Sequence, residues 1–337
     1  MTIHRESASA AQVEEPIDSD MPICDPHHHL WDHPDNCYLA EQFLQDAEGG
    51  HRIVQTVFVE CSANYRETGP EAMRPVGETE FVERIASECA RRPNGKAVVA
   101  AGIVGFADLR LGAAVAPVLE AHIVAGRGRF RGIRQASAWH PSPDVGTYRS
   151  PPEGLLRERT FRDGFAKLAG LGLSFDAFLY HPQLPELADL AKAFPQTSII
   201  LNHAGTPLGI GPYASQHDEV FRDWQRGIET VAASPNVTVK LGGFGMRVCG
   251  YEWHMRSQPM TSEALAKTIG PYVLFCIEAF GPDRCMFESN FPVDKPSYAY
   301  TVLWNTFKRI AHGFSPGERA ALFQKTALRV YRLAPAG

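Results

Sequence analysis

Cysteine is sparse in this chain, and what there is does not pair. The 337 residues hold seven cysteines, an odd number scattered from Cys24 to Cys285 with no CxxC among them. That excludes a disulfide framework and a zinc knuckle, and it leads us to expect reduced thiols in a cytoplasmic protein. No apolar run reaches the length of a membrane span, so no membrane association is expected. Positive charge is not in excess. The formal net charge is −5, which gives no footing for a nucleic-acid partner. No GxGxxG turn follows any predicted strand, which weakens an open dinucleotide-binding sheet. Residues 1–20 are polar and lack the apolar core of a secretory signal, so we expect a flexible tail there. Internal repeats and low-complexity segments are also missing.

What is present is apolar content and rhythm. Hydrophobic residues make up 44% of the chain, enough for a large core. Short β-branched or apolar runs read as strands at 23–24, 53–60, 97–105, 129–134, 173–180, 198–203, 237–241 and 284–292. Segments with helical periodicity separate them. An example is 79–92, where Phe81, Val82, Ile85 and Cys89 share one face. Eight strands alternating with helices imply a parallel sheet closed into a (β/α)8 TIM barrel, one domain over 21–337. Long irregular loops are expected at about 64–77, 140–153 and 205–217. The polar residues cluster at the C-terminal strand ends, where such barrels place active sites.

The densest cluster is Asp25-Pro26-His27-His28-His29. Alternation along a strand points His27 and His29 one way and His28 the other, with Asp25 on the side of His27. Two imidazoles on one face suit metal ligation, proton transfer or hydrogen bonding to a substrate. His203 ends the sixth strand and His181 follows the fifth. Glu60 ends the second, as a site residue or a loop anchor. Arg131 and Arg134, expected to share a face, lie near the end of the fourth. For Arg134 the alternatives are a substrate contact and an interstrand salt bridge. Lys240, ending the seventh strand, is expected in a salt bridge. Tyr65, Trp253 and His254 sit on loops at the same end as possible pocket residues.

These motifs together resemble the amidohydrolase superfamily. The nearest likeness is the amidohydrolase-related (family 2) branch, which contains 2-pyrone-4,6-dicarboxylate lactonase and sugar-acid lactonases. The carrying residues are Asp25 to Asp32, Gly132-Ile133-Arg134, Leu201 to Pro207 and Met286 to Pro292, and the likeness spans about residues 22–333. It implies an amidohydrolase-like barrel and a hydrolase that opens a lactone of a small carboxylated metabolite. His27, His29, His203 and Asn290 are then the catalytic set. Arg134, Arg131, Tyr65 and His181 are substrate-binding, and His27, His29 and His203 are the ligands of any metal. Members usually carry Asp where this chain has Asn290. In the family that carboxylate takes a proton from water and can bind an ion, and asparagine has no ionisable carboxyl. From this we expect either no cofactor or a single divalent metal such as zinc, with metal-independent action favoured. Asp294 is a distant substitute base. The same departure keeps open a decarboxylase or hydratase, and a degraded barrel that only binds ligand. A small anionic substrate and a homo-oligomer complete the expectations.

Overall fold

In the computed structural model, residues 14–335 are described apart from 35, 93–96 and 148. Eight parallel strands form one sheet in sequential order: β1 Ile23–His28, β2 Ile53–Val59, β3 Val98–Gly105, β4 Phe130–Arg134, β5 Ser174–Ala177, β6 Ile199–Leu201, β7 Val237–Leu241 and β8 Cys285–Phe287. The sheet closes nearly completely. His29 N donates to Phe291 O at 2.8 Å and Asn290 N to His27 O at 2.9 Å, which stitches the exit of β8 to β1. This is the expected (β/α)8 barrel, with helices between the strands burying a continuous outer layer. A short antiparallel hairpin, Trp31–His33 with Asn36–Tyr38, follows β1 and had no sequence signal we read.

The barrel interior has two ends of different character. One is apolar: Cys24, Val57, Val59, Val104, Ile200 and Met286 pack against Ala327, Val330, Tyr331 and Leu333 of the C-terminal segment, which plugs that end. Higher up, pairing in register places Arg134 beside Asp176, Asp176 beside Ile200, and Met286 beside Lys240. Paired residues of adjacent strands point the same way, so charged groups sit directly above the apolar layer.

Asp25 departs from the parity we expected. The β1–β2 register shifts between Asp25 and His28. This bulge inserts one residue, so Cys24 and His27 both face inward although three apart. Asp25 turns outward instead, taking hydrogen bonds from Tyr300 Oη at 2.9 Å and Ser289 N at 3.0 Å.

Of the tail expected over 1–20, residues 1–13 lie outside the described residues. Residues 14–18 are docked. Ser262 N donates to Glu14 Oε1 at 2.7 Å, Ile17 N to Asn305 Oδ1 at 2.8 Å, and Lys308 Nζ to the carbonyls of Ile17 and Asp18.

Candidate active site

At the C-terminal end of the strands lies a cavity of about 880 Å3. His29, Arg134, His203, Asn290, Phe178, Arg247 and His254 line it, with Trp31 and His33 from the hairpin. Among the described lining residues none is Asp or Glu, so the wall is neutral or cationic.

Glu288 organises the floor. It is fully buried, and its Oε1 accepts from His203 N at 2.9 Å and faces His203 Nδ1 at 2.8 Å. Its Oε2 lies 2.6 Å from His27 Nδ1. A carboxylate can only accept, so a ring that bonds it does so by donating from Nδ1, which leaves its Nε2 for other partners. His27 spends that atom on Arg134 Nη1 at 3.3 Å. His203 lines the cavity, and its Nε2 is the edge left for a ligand. Burial first, then the Lys240 ammonium, holds the His27 pKa well below the usual imidazole range, so His27 is neutral.

His29 is fixed differently. Its Nδ1 donates to Val59 O at 2.7 Å. Burial, with the Arg134 guanidinium next, keeps its pKa well below the ordinary value. Its Nε2 therefore bears a lone pair and lies 3.4 Å from Asn290 Oδ1, a contact between two acceptors. The Asn290 amide is set from its other side, where Nδ2 donates to Asp294 Oδ1 at 2.9 Å. Asp294 is itself held by Tyr298 Oη and by Gly245 N at 3.0 Å. His203 and Asn290 both have left-handed backbones, φ 54° and 56°. Such strain in non-glycine residues collects where the surroundings enforce it, typically at active sites.

Burial raises the Asp294 carboxyl to about 6 from an ordinary 3.8. The folded protein thus holds this proton more tightly than the unfolded chain. Its contribution to stability is full below about pH 4 and is lost as pH rises through about 6. Asp294→Asn should flatten that part of the stability profile in denaturant titrations at stepped pH. An unchanged slope would show that Asp294 is ionised throughout.

Not every expected site residue reaches the cavity. His29, His203 and Asn290 line it from three distant parts of the chain, while His27 lies fully buried beside His203, with ring centroids 4.6 Å apart. Arg134 also lines the wall, but its fork is engaged: Nε donates to Glu60 Oε1 at 2.7 Å and Nη2 to the Glu60 carbonyl. Glu60 thus holds Arg134 in a salt bridge across the strands, while Arg134 keeps its place on the cavity wall. Arg149 reaches the other Glu60 oxygen, and its Nη1 donates to Tyr65 Oη at 3.2 Å. Tyr65 thus supports the rim and does not line the cavity. Arg131 turns inward, helped by a register shift on β4, but at the plugged end. It lies with Val57 and Leu333 around Gly102, about 10 Å down the strand from Arg134. His181 is buried beside Tyr213 and accepts from Leu208 N at 3.2 Å, off the cavity wall. His28 faces away as expected, stacked on Phe43 at 4.3 Å.

Glu288 itself was missed, although it sits inside the quoted strand-8 motif. The signal was its place one residue beyond β8 and two before Asn290. The ligand set for a metal changes accordingly. His27, His203 and Glu288 each offer a donor atom within 4.8 Å of the others. His29 is not part of that trio. Two imidazoles and a carboxylate are ordinary zinc donors, and the buried Glu288 Oε2 lacks a well-formed hydrogen bond. The donor set is therefore consistent with a divalent ion, and the anionic ligand that Asn290 cannot be is present after all. A competing cation stands close by, because Lys240 Nζ is 3.4 Å from His27 Nδ1.

Comparison with known proteins identifies the family and agrees with the fold. The amidohydrolase family model matches residues 24–333. The chain is 37% identical to the uncharacterized protein y4mH of Sinorhizobium fredii, over 94% of this chain and all of that one. It is 26% identical to an L-fucono-1,5-lactonase of Burkholderia multivorans, over 92% of this chain and 95% of the other. Among solved structures, an amidohydrolase from Burkholderia multivorans with bound zinc superposes with a TM-score of 0.69 at 24% identity, covering 93% of this chain and 99% of that one. A putative 2-pyrone-4,6-dicarboxylic acid hydrolase from Pseudomonas putida superposes with a TM-score of 0.63 at 15% identity, covering 94% and 99%.

Proposed function

Taking as premise that this chain belongs to the amidohydrolase family, we propose that it is a lactone hydrolase acting on a small polar, anionic metabolite. The observation that carries the reading is Glu288 holding the Nδ1 proton of His203 while His203 borders a cavity free of carboxylates. Lactonase relatives at low identity point to the same chemistry.

The missing family carboxylate has a functional replacement. His203 Nε2 takes a proton from the attacking water, and Glu288 stabilises the imidazolium that forms. The same proton then passes to the ring oxygen as the carbonyl–oxygen bond breaks. Arg134 and the second N–H of Asn290 lie on the cavity wall as donors for the developing oxyanion. His29 Nε2, an acceptor, orients the water. A divalent ion, if bound, would be held by His27, His203 and Glu288 and would supply Lewis-acid polarisation.

Two outcomes follow. A panel of lactones should release protons on turnover; carbon dioxide release without lactone opening would favour a decarboxylase instead. Activity should also persist after exhaustive chelation, since Glu288 and His203 form the base unaided. Loss of activity on chelation with recovery on zinc would move the role to the metal.

Placing the charge of Arg134 in the Glu60 pair yields a further expectation. Glu60→Gln should weaken the hold on Arg134, raise KM and lower thermal stability, because it leaves a buried guanidinium half-satisfied. Unchanged kinetics and melting would show that Glu60 is dispensable.

A further inference from the structure

Asp294 is a buried acid that the proposed reaction leaves unused. It is fully buried and does not line the cavity, although Val293 and Ser297 on either side of it do. It therefore cannot touch a substrate. A turn closed by Asp294 N donating to Asn290 O at 3.1 Å brings the two side chains together. Asp294 Oδ1 accepts from Asn290 Nδ2 at 2.9 Å. Its Oδ2 accepts from Gly245 N at 3.0 Å and from Tyr298 Oη. A Cβ at Gly245 would stand 2.8 Å from the Asp294 carboxyl carbon, so the missing side chain is what lets this backbone N–H come so close.

The Asn290 amide faces two competing neighbours. His29 Nε2 carries a lone pair and lies 3.4 Å from Asn290 Oδ1. With the amide turned over, its nitrogen would stand there and donate to that lone pair. Asp294 opposes the turn. A carboxylate can only accept, and a hydrogen bond to a charged acceptor is roughly twice as strong as a neutral one. We infer that Asp294 is a positioning residue that fixes the Asn290 amide with its nitrogen toward the acid and its oxygen toward His29. Asn290 has no carboxyl, and the carboxyl four residues on acts through it. In this orientation the His29 lone pair stays open for the water, and the second Asn290 N–H stays on the cavity wall for the oxyanion. The kinetic consequence rests on the lactonase reading and deepens it; the orientation of the amide does not depend on it.

The test is Asp294→Asn, which keeps the shape of the side chain. Gly245 N can only donate, so it draws the oxygen of the new amide and leaves the NH2 group facing Asn290. Asn290 must then offer its oxygen, which turns its nitrogen onto His29 Nε2. At about pH 8 the wild-type Asp294 carboxyl, raised to about 6, is ionised. There Asp294→Asn should lower kcat on a lactone by about a hundredfold with KM little changed, the cost of one lost oxyanion donor. Nitrogen NMR should show a coupling through the new hydrogen bond between the Asn290 amide and His29 Nε2, absent from the wild type. Tyr298→Phe removes a hydrogen bond from the same buried network but leaves Asp294 an acceptor. It should lower thermal stability, lose less kcat than Asp294→Asn, and show no coupling. Equal kcat losses in the two variants, or a folded Asp294→Asn protein without the coupling, would overturn the inference. Should Asp294→Asn not fold, the wild-type spectrum decides: absence of the coupling supports the orientation, and its presence overturns it. If no lactone is turned over, a coupling gained only in Asp294→Asn retains the positioning of Asn290 while the lactonase reading fails.

Discussion

Replacing His203 by asparagine is expected to lower kcat by about a hundredfold to ten-thousandfold, the usual contribution of a positioned acid–base group. KM should change little, because the ring acts on a proton that moves only during the reaction. The side chain removed is buried and touches Glu288, Phe178 and His27, so folding has to be checked alongside. Glu288→Gln is the companion. It preserves shape but can no longer stabilise the imidazolium, and its amide can present a donor toward one Nδ1–H. Both variants should therefore be severely impaired, with the double variant little worse than either alone, since the two residues act as one unit. If His203→Asn retains most of its kcat while folded, the base is elsewhere and the reading of the dyad is wrong.

The second large effect concerns stability. Lys240 and Asp176 are both fully buried, with Lys240 Nζ donating to Asp176 Oδ2 at 2.7 Å. Tyr331 Oη and Asn202 Nδ2 also donate to that carboxylate. Through Tyr331 the pair joins the charged layer to the C-terminal plug. Lys240→Met should cost about 3–5 kcal/mol of unfolding free energy, because it strands the Asp176 charge inside the barrel. Asp176→Asn should cost a similar amount by stranding the ammonium. The double variant should be more stable than the sum of the two losses predicts, as neither charge is then left uncompensated. Denaturant melts of the three variants measure this. Strict additivity would mean that the two charges are not coupled in the folded state. The pair also lies beside His27, so the single variants should lose activity in addition.

Fold class was legible because it depends on patterns the backbone imposes locally. Eight short apolar runs, separated by helical periodicity and ended by polar residues, leave few arrangements other than a closed parallel barrel. The same logic located His27, His29, His203 and Asn290 at strand ends facing one mouth, and turned His28 away. Those features follow from the two-residue repeat of a strand, a property of the chain before it folds.

The tertiary structure decided where the charges go. A bulge between Asp25 and His28 reversed the side of Asp25, because one inserted residue flips every side chain beyond it. Arg131 and Arg134 read alike in sequence, yet one ends at the plugged bottom and the other on the wall of the cavity. Whether an arginine is free to meet substrate depends on which carboxylate lies nearby in space. Glu60, 74 residues earlier, took Arg134. The same is true of Glu288. Nothing in its local sequence distinguishes a surface glutamate from one aimed at two imidazoles. Burial in a closed barrel removes the water that would otherwise solvate that charge. Only there must it find partners, and the partners it finds, His27 and His203, make the site.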